Sequence, residues 1–184
     1  MISQGQENAD NQRSTLKVLE TDRLNLRWIS TDDAEFILEL LNEPSFLRFI
    51  GDKVIRTLDD ARDYILNGPM DMYNRLGFSL YLTELKDGGV PIGICGLIKR
   101  DGLEDADIGF AFLPKFWAKG YAYEAAAAVM AYGKTVLGLN RIVAITSPDN
   151  YASGRLLEKL GLRFERMIRL SKDAPEVRLF ASDL

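Results

Sequence analysis

The residues with the clearest chemical potential lie in Pro114-Lys115-Phe116-Trp117-Ala118-Lys119-Gly120-Tyr121-Ala122-Tyr123-Glu124-Ala125. A strand is expected to end at Leu113, a short basic loop to follow, and a helix to begin near Gly120. The first N–H groups of a helix lack intrahelical acceptors and carry partial positive charge, so such a junction can hold an anion. Gly120 lets the backbone approach an oxyanion, Ala122 keeps the first turn uncrowded, and Lys115 and Lys119 add charge. An ordinary loop leading into an Ala-rich core helix accounts for this segment about equally well. A second segment, Asp149-Asn150-Tyr151-Ala152-Ser153, places Asn150 as a helix N-cap and Ser153 one turn into the helix. Simple capping explains Asn150 better than it explains Ser153.

The composition removes competing mechanisms. None of the 184 residues is histidine, which excludes Ser-His and Cys-His nucleophile pairs and histidine metal ligands. A single cysteine, Cys95, excludes an internal disulfide and any CxxC site, and it agrees with a reducing cytoplasm. Gly133-Lys134-Thr135 imitates the end of a phosphate-binding P-loop, but Ala128 stands where that motif needs its first glycine. No GxGxxG follows a strand, no GxSxG is present, and the carboxylates lack the spacing of a metal loop, so no metal is expected. A net charge of −4 argues against a nucleic-acid partner, though a local amide nest can still hold an anion. With no apolar stretch long enough for a signal peptide or a membrane span, the chain is expected to be soluble and cytoplasmic.

These segments need positioning elements, and the pattern supplies them. Residues 1–17 read as a flexible leader and 18–184 as one domain, with 47% apolar residues to form its core. Arg23 to Trp28 alternates as a strand, with Leu24, Leu26 and Trp28 on one face and Arg23, Asn25 and Arg27 on the other. Asp32 can cap a helix beginning near Asp33 that Pro44 closes; Thr57 caps a second, which Gly68-Pro69 interrupts. Phe78 to Leu85, Pro91 to Lys99 and Ala106 to Leu113 read as an antiparallel meander joined at Asp87-Gly88-Gly89 and Asp101-Gly102. A helix from Tyr121, a strand from Arg141 to Thr146, a helix from Tyr151 ending at Gly161, and two closing strands complete the chain. The expected fold is α/β, a mixed and mostly antiparallel sheet of about seven strands flanked by about four helices.

In this setting Lys119-Gly120-Tyr121-Ala122, with Phe116-Trp117 before and Glu124-Ala125 after, resembles motif A (Q/R-x-x-G-x-G/A) of the GNAT superfamily of N-acetyltransferases. Asn150-x-x-Ser153 followed by Leu157-Glu158-Lys159-Leu160-Gly161 resembles their motif B helix at the expected distance downstream. Leu19-Glu20-Thr21-Asp22-Arg23-Leu24 and the Trp-x-Lys-Gly-Tyr-Ala form resemble the branch of the ribosomal-protein N-terminal (RimJ/RimL-type) acetyltransferases. The likeness runs from about Val18 to Leu184. Trp117 stands at the Q/R position, and Ala118 stands where a glycine is frequent.

The resemblance implies acetyl-CoA as co-substrate and a primary amine as acceptor. The amides of Lys119, Gly120, Tyr121 and Ala122, beside Trp117 and Ala118, would hold the pyrophosphate; the backbone near Phe112 and Leu113 would pair with the pantetheine arm. Asn150 would hydrogen-bond the cofactor, and Ser153 would sit near its thiol end. Asp107 becomes the candidate general base, its plain alternative being a solvated strand-edge acid beside Glu104 and Asp105. Ser153, or else Tyr151, would protonate the leaving thiolate. Cys95 reads as a core thiol rather than an acyl carrier. The region from Asn42 to Arg75 would cover the acceptor. Acids near Asp107 suit a cationic amine: a peptide N-terminus, a polyamine or an aminoglycoside. A non-catalytic acyl-CoA-binding or regulatory domain, and a transferase using a bulkier acyl group such as succinyl, are the alternatives. The chain is expected to act as a monomer or homodimer.

Overall fold

Segments of period two become strands throughout. The computed structural model describes residues 17–183, in which eight strands form: β1 (Lys17–Glu20), β2 (Leu24–Trp28), β3 (Leu80–Leu85), β4 (Pro91–Ile98), β5 (Ala106–Phe112), β6 (Arg141–Thr146), β7 (Arg163–Ile168) and β8 (Val177–Asp183). They make one sheet in the order β1-β2-β3-β4-β5-β6-β8-β7. The first five are an antiparallel meander, whereas β5 pairs with β6 in parallel. The sheet therefore has eight strands rather than about seven. The addition is β1, a short and partly polar edge strand set against β2 with Glu20 opposite Asn25. Except for Lys17 in β1, the expected leader lies outside the described residues.

The helices are α1 (Ala34–Asn42), α2 (Pro44–Phe49), α3 (Leu58–Ile65), α4 (Asp71–Leu76), α5 (Tyr121–Thr135) and α6 (Tyr151–Lys159). Pro44 opens α2 rather than simply closing α1. At the first position of a helix its missing N–H is one that would have no partner anyway. Gly68-Pro69 falls in a π-helical turn, Leu66–Met70, which separates α3 from α4. Thr57 caps α3, its hydroxyl accepting from the Asp60 N–H at 3.1 Å while Asp60 accepts from the Thr57 N–H at 2.9 Å. Gly161, at φ 93°, ends α6; the Leu162 N–H reaches back to Leu157 O and the Gly161 N–H to Glu158 O, each at 3.0 Å.

Helices cover both faces of the sheet. Ala125, Ala126 and Val129 of α5 and Leu157 of α6 pack with Leu24, Leu26, Leu97 and Ile142 on one side. Ile37, Leu40 and Leu41 of α1 and Ala61 and Ile65 of α3 pack with Leu82, Ile94 and Leu113 on the other. On the face of β2 opposite Leu24 and Leu26, Arg27 is buried rather than left to solvent. Arg27 is 4% exposed, pairs with Asp33 through Nη1 and Nη2 at 2.9 and 2.7 Å, and reaches Glu84 at 3.1 Å. Asp33, not Asp32, also accepts from the Ser30 N–H at 2.8 Å and so anchors the entry to α1. No helix among the described residues is long and apolar enough to cross a membrane.

Replacing Arg27 with methionine keeps most of the volume but leaves two buried carboxylates without their cation. The expected loss is about 3–5 kcal/mol in urea denaturation, the scale for one removed partner of a buried ion pair. A loss below about 1 kcal/mol would show that Asp33 and Glu84 are stabilised by something else.

Candidate active site

The site begins where the sheet fails to close. The β5–β6 ladder holds only Ala106 opposite Ile142 and Asp107 opposite Val143. Past Asp107 the two strands are unpaired. On the other side of β5, the Leu113 N–H donates to Ile92 O at 3.0 Å. Residues in an antiparallel pair alternate in the direction of their backbone groups, so this bond fixes the parity of β5. Leu113 and Ala111 turn their groups toward β4, while Phe110 and Phe112 turn theirs into the opening. Of the two residues expected to offer backbone to an extended ligand, Leu113 is thus committed to the ladder and Phe112 is available. The Phe112 carbonyl already accepts from Trp117 Nε1 at 2.7 Å. The opening is a cavity of about 780 Å³, walled by β5 from Asp107 to Phe112, about 17 Å of strand.

At the Phe112 end the chain turns through Pro114–Phe116. The Phe116 and Trp117 amides donate to Leu113 O and Pro114 O at 2.9 and 3.0 Å. Trp117 therefore offers its ring to the cavity but not its amide. From Ala118 to Tyr123, no N–H has a backbone acceptor among the described residues. Ala118 and Gly120 both have positive φ, 58° and 83°, and such reversals of backbone hand gather successive N–H groups into an anion-binding concavity. Gly120 adopts this conformation freely; Ala118 adopts it at a cost.

A clamp holds this concavity in place. The Glu124 carboxylate, on the first turn of α5, accepts from Thr21 Oγ1 (2.5 Å), the Arg23 N–H (2.9 Å) and Arg23 Nε (2.7 Å). Arg23 Nη1 also donates to Lys119 O at 3.0 Å, and the guanidinium lies 4.5 Å from the centre of the Tyr121 ring. Partial burial works against the charged form of Glu124, but the Thr21 and Arg23 hydrogen bonds outweigh it and hold the carboxyl below its ordinary range.

Along the β6 side stand Asn150, Tyr151 and Ser153 of α6, all lining the cavity. Asn150 Oδ1 accepts from the Ser153 N–H at 3.1 Å, so the residue is an N-cap. Its side-chain amide group is left for other partners. Sequence reasoning missed Arg178, on β8, which donates from Nη2 to Asn150 O at 2.9 Å and lies 5.6 Å from the Tyr151 ring centre. Its only local trace was Gly154 in an otherwise regular helix, where a Cβ would come within 2.9 Å of the guanidinium.

At the far end of β5, Asp107 is 1% exposed, which corrects its reading as a solvated strand-edge acid. Its Oδ2 is paired with Arg100 Nε, while Oδ1 has no hydrogen-bond partner among the described residues. Desolvation pushes its pKa up to about 6, against the opposing influence of Arg100 and the nearby Ile145 N–H. Thr146, also buried with an unpartnered hydroxyl, lines the same cavity. Of the acids expected to attract a cationic substrate, Asp105 is engaged elsewhere, pairing with Arg141 at 3.2 Å, and neither Asp105 nor Glu104 lines the cavity. In their place Lys53, Tyr64 and Arg100 line this end of the cavity. Phe46 and Phe49 of α2 also line it, and Arg48 of α2 pairs with Asp149, another lining residue, at 2.9 Å. Cys95 is fully buried in the core, where desolvation raises its pKa and keeps the thiol protonated.

Residues 23–163 match the family model described as acetyltransferase (GNAT) domain. An uncharacterised N-acetyltransferase of Bacillus subtilis, YoaA, is 32% identical over 154 residues, covering 83% of this chain and 86% of that protein. The crystal structure of a GNAT-family acetyltransferase from Bacillus anthracis superposes with a TM-score of 0.73 at 27% identity, covering 90% of this chain and 97% of that one. RimL, a ribosomal-protein alpha-N-acetyltransferase, shares the fold with a TM-score of 0.77 at 14% identity, covering 91% and 94% of the two chains. This chain belongs to the GNAT family of acetyltransferases, and it is an acyltransferase.

The strain at Ala118 is measurable. Ala118→Gly is expected to leave stability unchanged or raise it by up to about 1 kcal/mol, because glycine takes φ 58° without a Cβ penalty. Ala118→Val is expected to lower the thermal midpoint of the ligand-free protein. A destabilising glycine would mean that Ala118 contributes through packing rather than bearing strain.

Proposed function

We propose that the protein transfers the acetyl group of acetyl-CoA to a primary amine by direct attack within a ternary complex. The observation that carries this reading is a single cavity with three parts in line. These are Ala118 and Ala122 of the segment of unpaired amides after Trp117, the open backbone edge at Phe112 and Phe110, and a buried carboxylate at Asp107 with one oxygen unpaired among the described residues. The first suits a pyrophosphate, the second an extended polar chain, and the third an amine.

Acetyl-CoA supplies the acyl group as a thioester. The amides from Ala118 to Ala122 hold the diphosphate, with Trp117 beside them and Tyr121 and Gly120 shaping the concavity. Phe112 and Phe110 present backbone groups to the pantetheine amides, and the side-chain NH₂ of Asn150 is free to donate to a carbonyl. The Asp107 carboxylate, directly or through a water held at Thr146, accepts the proton that the amine loses. The new N–C bond forms as the C–S bond breaks, and Ser153 or Tyr151 donates the proton that turns the thiolate into free CoA. A peptide α-amine, with a pKa of about 7.7–8.0, needs only a weak base, and a carboxylate titrating near 6 meets that need. The inertness of Cys95 favours direct attack over an acyl-enzyme.

Two experiments test this reading. Acetyl-CoA at a hundredfold excess over its Kd should stabilise the protein by about 2.7 kcal/mol, and Gly120→Asp, which puts a carboxylate in the anion site, should abolish the shift. No stabilisation by any CoA species would overturn the proposal. For the chemistry, kcat with a saturating amine should fall tenfold per pH unit below about 6, as the base takes up its proton. Asp107→Asn should lower kcat by about 10²-fold or more and remove that limb while leaving the acetyl-CoA shift in place. Retention of the limb in this variant would assign the base elsewhere.

A further inference from the structure

The end of the cavity that faces Asp107 carries two cations. Arg100 follows β4 and pairs with Asp107; Lys53 enters from the loop between α2 and α3. Lys53 has no carboxylate within 4 Å among the described residues. Partial desolvation and then the positive charge of Arg100 lower the pKa of its ammonium, so the two cations are close enough to repel. Tyr64, from α3, lines the same cavity within electrostatic reach of Arg100. Its phenol pKa is raised by burial, against Arg100, and it stays a neutral donor. The acids on the same cavity are Asp107, already paired, Asp149, tied to Arg48 at 2.9 Å, and Glu43 at the start of α2.

The backbone beside Lys53 is strained. Val54 has φ 58°, a conformation that a β-branched residue adopts only under constraint, yet its side chain is 71% exposed and buries little. Its N–H donates to Asp52 Oδ1 at 2.7 Å, and Asp52 pairs with Arg56. Strain of this kind persists where the surroundings over-determine it, often beside a binding site. Here it accompanies the turn that brings Lys53 to the cavity instead of leaving it free in solvent.

We propose that Lys53 and Arg100, with the Tyr64 hydroxyl, form a subsite for an anionic group on the acceptor. The preferred substrate is then an amine that also bears a carboxylate or phosphate a few bonds away. This inference rests on the acetyl-transfer reading and narrows it: the amine goes to Asp107 Oδ1, and the anion meets the two cations opposite. Polyamines and aminoglycosides, which bring only positive charge, are disfavoured at such a site.

The test uses matched amines with acetyl-CoA and reads release of free CoA: amino acids against their amides, and ethanolamine phosphate against ethanolamine. The acid-bearing member of each pair should have the higher kcat/KM by about tenfold or more, the scale of one well-placed charged contact. It should also stabilise the acetyl-CoA-loaded protein thermally when the uncharged member does not. Lys53→Glu should erase or invert the preference, with Lys53→Ala intermediate, and both should keep the thermal shift with acetyl-CoA. Equal or better turnover of the uncharged members overturns the subsite while leaving acetyl transfer intact. A preference for succinyl-CoA over acetyl-CoA that Lys53→Glu abolishes assigns the cations to the acyl group and overturns it too. Absence of both CoA release and any acetyl-CoA shift defeats the underlying reading instead.

Discussion

Two residue pairs at the start of β5 and β6 determine the site. Strands that paired along their full length would bury the Phe110 and Phe112 backbone groups in a ladder and leave no cavity. Because the parallel pairing stops at Asp107, one edge of β5 stays open while its other edge is bonded to β4 as far as Leu113. An unpaired strand edge inside a domain is tolerable only when something satisfies it. The Trp117 indole does so for the Phe112 carbonyl, and the remaining groups are left for a ligand. The same gap sets the order of the site, since α5 starts at one end of β5 and Asp107 lies at the other.

The helix starts that flank this gap are tied down from opposite edges of the sheet. Thr21 and Arg23, between β1 and β2, grip Glu124 and Lys119 at the start of α5. Arg178, on β8, grips Asn150 O at the start of α6 and fills the space that Gly154 leaves. Each clamp joins an arginine to a carbonyl oxygen in the turn entering a helix. At α5 the N–H groups of the first turn keep their direction without spending their own hydrogen bonds on the scaffold, whereas at α6 the Tyr151 and Ser153 N–H groups bond to Asp149 O and Asn150 Oδ1. A site built from backbone amides needs such support, because its donors cannot be reoriented by a change of rotamer.

How much of this could be read from the sequence depended on the range of the interaction involved. The meander, the break at Gly68-Pro69 and both helix starts were legible because period, turn residues and caps act over a few neighbours. The burial of Arg27 was not legible, because alternation alone does not report that a second layer of helices covers the polar face. Pro44 was read as a stop because proline ends one helix and begins the next by the same loss of N–H. Glu104, Asp105 and Asp107 look alike in sequence. Only the pairing of β5 separates the buried carboxylate from the two that do not line the cavity. Lys53 and Arg100 were illegible for the same reason, as was the support that Arg178 gives Asn150. Lys53 and Arg100 reach the cavity, and Arg178 reaches the start of α6, each from a segment whose own pattern is that of an ordinary loop or strand.

The energetics of Asp107 also bear on its role. A carboxyl whose pKa rises from 3.8 to about 6 on folding binds more protons in the native state than in the unfolded chain between those values. Stability therefore falls as pH rises through that window, and the deficit remains at neutral pH. Arg100 offsets part of the desolvation but not all of it, and Oδ1 is left without a donor. A group placed only for packing or structure would gain by being replaced with a neutral residue of the same shape. A carboxyl buried beside a cavity with one oxygen unpaired among the described residues is held there at the expense of the fold. Such an expense is what the proposed role of Asp107 as base would require.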